Sequence, residues 1–128
     1  MSQSPLFAKT YDLVLWLVQK TTRFPREHRF VTARFLQEAA LRFQEQIIEA
    51  AALPKQDRAG KLARLIKADV ELTKLRFYLR LCRDLGLLDP GPHRHASQMV
   101  DEVGRLLGGW FKALGRPYQS QAIDGLPQ

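Results

Sequence analysis

Arg23 and His28 are separated by four residues, an Arg-x4-His spacing. Carried on one helix, such a pair would aim a guanidinium and an imidazole at a single phosphate, as RNA cleavage by acid–base catalysis requires. Pro25 stands between them. A proline disfavours helix in the residue before it, so an unbroken helix across the pair is not expected. His93 and His95 flank Arg94 in a turn-like stretch and point to opposite sides if the chain there is extended. Without a third ligand they do not make a metal site. No glutamate is followed by histidine three residues on, so the Glu-x-x-His pair of a di-iron bundle is missing. Gly104, Gly108 and Gly109 lie inside a helical pattern and not after a strand, so they form no phosphate loop. Cys82 is the one cysteine and stands among leucines at helical spacing, the setting of a core residue. The reading is of a non-enzyme with no catalytic residue, no metal and no cofactor.

Charge carries more information. Twenty Lys and Arg face thirteen Asp and Glu, for a formal net charge of +7, and thirteen of the twenty are arginine. Such an excess favours polyanionic partners, and the guanidinium is the better phosphate fork. Two clusters stand out. One is the first connection and the start of the next helix: Lys20, Arg23, Arg26, His28, Arg29 and Arg34. The other is Arg76, Arg80 and Arg83, at spacings of four and three and hence on one helix face. The assigned nucleic-acid-binding residues are Arg23, Arg26, Arg29, Arg34, Arg76, Arg80 and Arg83. For the second cluster an equal alternative stands: the arginines pack their stems on a neighbour and pair with Asp69, Asp84 or Asp101. Aromatic stacking on single-stranded bases is a weaker expectation, because most of the rings fit core stripes.

Helix-period patterning runs nearly from end to end, and punctuation cuts it into four segments. The first spans about 5–22, with Ser4 as N-cap, Phe7, Tyr11, Val14 and Val18 on one face, and Trp16 nearly opposite. The second spans about 26–53, with a core stripe of Leu36, Ala40, Phe43 and Ile47. The third spans about 56–85, with Asp57 as cap, a stripe of Leu62, Leu65, Leu72, Leu75, Leu79 and Cys82, and Gly86 just past its end. The fourth begins near Asp89-Pro90 or after Pro92 and runs to about 114, its core lined by Met99, Val103, Leu106, Trp110 and Leu114. Short connections make neighbours antiparallel, so the expected fold is an all-α, up-down-up-down four-helix bundle over 1–117, with a flexible tail at 118–128.

A surface helix of a monomer needs one apolar stripe. Here the second and third segments each carry two: Phe30, Leu41 and Ile48 form one extra stripe, and Ile66, Val70, Phe77 and Leu81 the other. These faces imply a homo-oligomer, with an interface assigned to Trp16, Phe30, Ile48, Ile66, Val70, Phe77, Gly104 and Gly108. The two glycines form a bare strip that lets a helix come close. The chain has no signal-peptide pattern, and the apolar run from Leu13 to Val18 is too short to cross a bilayer, so it reads as cytoplasmic with no membrane partner.

Arg29-Phe30 after Phe24-Pro25, the helix Thr73-Lys74-Leu75-Arg76-Phe77-Tyr78-Leu79-Arg80-Leu81, then Leu85-Gly86-Leu87-Leu88, and above all Glu102-Val103-Gly104-Arg105-Leu106-Leu107-Gly108-Gly109-Trp110 resemble the Avd-type four-helix proteins. These are accessory variability determinants of bacterial diversity-generating retroelements, similar in fold to the four-helix proteins of ribosomal-RNA intervening sequences. The resemblance spans about Phe7 to Leu114. It implies a homopentameric barrel that binds template RNA or DNA through a basic surface. It also implies partnership with the element's reverse transcriptase in adenine-directed mutagenic cDNA synthesis and retrohoming. Two other readings remain: an intervening-sequence-type RNA-binding protein, and the Arg-x4-His RNase.

Overall fold

The computed structural model describes residues 4–116; the expected tail at 118–128 lies outside them. Four long helices and one single turn follow in order: α1 (Ser4–Thr21), α2 (Arg26–Arg29), α3 (Thr32–Ala52), α4 (Arg58–Asp84) and α5 (Pro90–Ala113). No strand occurs among the described residues. The long helices close a four-membered ring in which α3 packs on α1 and α4, and α5 packs on α4 and α1. The fold is therefore the expected all-α four-helix bundle. Its antiparallel register is visible in side-chain pairs. Phe35 stacks on Tyr78 and Glu49 meets Arg64 across α3 and α4. Phe7 meets Trp110 and Trp16 meets His95 across α1 and α5.

The core stripes of α3 and α4 are as the periodicity requires. Leu36, Ala40, Phe43 and Ile47 are buried, as are Leu62, Leu65, Leu72, Leu75, Leu79 and Cys82. Burying such aliphatic and aromatic side chains contributes roughly 1.5–3 kcal/mol each before ordering costs. The helix ends are closed by local chemistry. Asp57 accepts from the Gly60 N–H at 2.9 Å and caps α4. Gly86, at φ 77°, ends α4 in a Schellman motif: its N–H donates to Arg83 and that of Leu87 to Cys82. The first turns of α4 also hold the ends of both its neighbours. Lys61 Nζ donates to the carbonyls of Ala50 and Leu53 at the end of α3, at 2.8 and 2.9 Å. Arg58 Nε donates to the carbonyl of Leu114 after α5.

Three expectations are corrected. The inward face of α1 is Leu6, Thr10, Leu13, Val14, Leu17 and Thr21, while Tyr11 and Val18 are exposed and Trp16 is half-buried against the core edge. Two threonines inside an apolar stripe hid its true position. Thr21 is satisfied there, donating to the Leu17 carbonyl at 2.7 Å and accepting from Gln37 Nε2 of α3 at 2.6 Å. The second segment is not continuous, because the chain leaves helical geometry at Val31 (φ −116°, ψ −76°) and restarts at Thr32. The turn α2 buries no residue, so packing does not fuse it to α3. The inward face of α5 is centred on Ala96, Val100, Val103, Leu107 and Phe111, with Met99, Leu106 and Leu114 only flanking it.

Candidate nucleic-acid interface

An antiparallel bundle gathers at one end the C-termini of α1 and α4 and the N-termini of α3 and α5. Both sequence-assigned basic clusters meet there, except for Arg76. Arg23 lies in the turn after α1, and Arg26 and Arg29 lie on α2; all three are exposed and have no carboxylate within 4 Å among the described residues. The corner that carries them is built by Phe24, buried beneath it, and by Pro25, which starts α2. Arg34 follows in the first turn of α3 and pairs with Glu38 at 3.0 Å. Glu38 also faces Arg42 at 3.6 Å. From α4, Arg80 and Arg83 share Asp84 at 3.9 and 3.0 Å. These pairs are exposed, so each stabilises the fold only weakly and leaves its guanidinium accessible.

Lys20 and Arg94 also belong to this end and carry no ion pair among the described residues. Arg94 was not assigned from the sequence. Its signal was topological: it sits on the first turns of α5, which the antiparallel fold returns to the α1–α3 corner. His93 lies beside it. Burial, and then the nearby Arg83 guanidinium, hold its imidazole below the ordinary histidine range, so it adds no cation at neutral pH. His28 Nδ1 is 3.4 Å from Thr32 Oγ1. Arg23 precedes Pro25 in a turn while His28 sits on α2, so the Arg-x4-His pair does not share a helix.

Arg76 separates from its two sequence partners. It bonds Asp101 across α4 and α5, and only 22 % of its side chain is exposed. Its Nη2 lies 3.3 Å from where a Cβ on Gly104 would be, and Leu72 lies at 3.8 Å. The glycine strip thus faces α4 of the same chain. Gly104 and Gly108 are buried and floor a groove of about 670 Å³ whose walls include Asp69, Thr73 and Arg76.

The extra apolar stripes lie outside the core. Phe30, Leu41, Ile48, Val70, Phe77 and Leu81 are exposed, and Ile66 is half-buried. Phe30, at 75 %, is the most open of them. Among the described residues, no group of three or more His, Cys, Asp or Glu side chains is arranged to hold a metal ion, and no helix is long and apolar enough to cross a membrane. Burial pushes the Cys82 thiol up to about 11, which makes it a core residue and not a nucleophile.

No curated protein matches the chain. A family model described as bAvd-like does, over residues 6–114, which is the four-helix body with its basic end, and the chain therefore belongs to the Avd-type family.

Proposed function

We propose that this protein is a non-catalytic, nucleic-acid-binding accessory subunit of a diversity-generating retroelement. In this reading it partners the element's reverse transcriptase while template RNA is copied with errors at adenines and the cDNA is returned to a target gene. The observation that carries the reading is the family match across 6–114. The +7 charge, and a bundle end where five basic side chains (Lys20, Arg23, Arg26, Arg29 and Arg94) have no carboxylate partner among the described residues, support a polyanion as ligand.

The same reading includes self-assembly into a closed ring of five. A head-to-tail ring needs two unlike faces on each protomer. Tyr11, Leu15 and Val18 are exposed on α1, and Val70 and Leu81 are exposed on α4, the helix diagonal to α1 in the bundle. A ring repeats the basic end in every subunit and so multiplies the field that attracts nucleic acid. Co-purification from the native host, with sequencing of bound RNA, tests the assignment. Recovery of a reverse transcriptase with a single template RNA is expected. Recovery of ribosomal RNA alone would replace this reading with the intervening-sequence one.

A further inference from the structure

Three rings run in contact over the surface where α3 meets α4. Phe35 stacks on Tyr78 at 5.8 Å, and Tyr78 meets the edge of Phe77 at 6.3 Å. Phe35 is 47 % exposed and Phe77 43 %, so both offer ring surface to solvent. Phe77 also borders a shallow pocket of about 300 Å³ shared with Arg80, Leu81 and Asp84. An apolar ring run alone would not name its occupant; the charges around it do. Glu38 is divided between Arg34 and Arg42, and Asp84 between Arg80 and Arg83. Arg34 adjoins Phe35 in the chain and Arg80 borders the Phe77 pocket, and each shares its carboxylate with a second arginine, so these pairs carry a surplus of positive charge. An aromatic surface edged by arginines matches a ligand with flat faces and a phosphate backbone.

We propose that the Phe35–Tyr78–Phe77 run is a stacking platform for unpaired bases, with Arg34 and Arg80 holding the adjoining phosphates. The proposal rests on the nucleic-acid reading and deepens it: the ligand here is single-stranded, because a duplex keeps its base faces stacked inside. It assigns Phe77 to nucleic acid and not to contact between copies of the chain.

The test compares a short mixed-sequence single-stranded RNA with the duplex of the same sequence, by fluorescence anisotropy over a range of salt. Proteins to compare are the parent, the double variant Phe35→Ala/Phe77→Ala, and Phe35→Trp/Phe77→Trp. Stacking on an aromatic side chain is typically lost with roughly a 5- to 150-fold drop in affinity per base. The alanine variant should lose at least the lower figure on the single strand. It should keep the duplex affinity, the salt slope and the sedimentation coefficient of the parent, and the tryptophan variant should recover single-strand binding. Equal loss on both ligands, no loss on either, or a change of assembly state in the alanine variant would overturn the platform while leaving phosphate binding in place. If the parent binds neither ligand at low salt, the underlying nucleic-acid reading fails and the platform with it.

Discussion

Replacing Arg76 by glutamine separates a bridging arginine from a phosphate-binding one. In the fold Arg76 ties α4 to Asp101 of α5, shielded over the bare backbone of Gly104. A charge-assisted hydrogen bond contributes about 1.5–3 kcal/mol when it is well shielded. Asp101 is 65 % exposed, so solvent screens the pair and the lower end applies, about 1–2 kcal/mol. For a domain of this size that corresponds to a fall in Tm of roughly 4–8 °C. Thermal unfolding followed by far-UV circular dichroism reads it directly. Arg80→Gln/Arg83→Gln provides the contrast, since among the described residues those side chains pair with Asp84 of their own helix and with no other carboxylate. Its Tm should move little while its RNA affinity falls. If Arg76→Gln leaves Tm unchanged and instead weakens RNA binding as much as the double variant does, Arg76 is a phosphate ligand and the bridging assignment is wrong.

Lys61→Met keeps the apolar stem but removes both donated bonds, leaving the Ala50 carbonyl with the Leu53 N–H alone, and should cost about 1–3 kcal/mol in denaturant unfolding. Gly109→Ala meets nothing within 4 Å, so better helix propensity should raise stability by up to about 1 kcal/mol. The Cys82 thiol, buried and held near 11, should resist a thiol reagent at pH 8 in the native protein and react at once in denaturant.

The long helices and the stripes of α3 and α4 were readable in the sequence because leucines at threes and fours mark them without competition. Asp57 and Gly86 fixed both ends of α4 for the same reason: an N-cap acid and a left-handed glycine each have a specific backbone role. The inward face of α1 was misread because Thr10 and Thr21 are buried polar residues, one of them satisfied by Gln37 from another helix. That partner is a tertiary fact with no local signal. The break at Val31 was missed because nothing in Phe30-Val31-Thr32 forbids helix; what is absent is any burial by α2 to hold it in line. Within the site, the Arg23–Arg29 corner stood out as a run of charge. Arg94 joins it only through chain reversal, and the surface exposure of Phe35 and Phe77 depends on which stripe the bundle chooses to bury.

The proposed function requires, before anything else, that the exposed basic end bind nucleic acid through its phosphates. Its most direct test is the salt dependence of binding to duplex DNA by the parent protein and by Arg23→Glu/Arg26→Glu/Arg29→Glu. Each phosphate neutralised contributes about −0.9 to the slope of log affinity against log salt. Steep salt dependence is expected in the parent. In the variant, affinity should drop for every sequence and the slope should flatten by about 2–3 units if all three arginines contact phosphate. Binding that ignores salt, or a triple reversal that leaves both affinity and slope where they were, would contradict it.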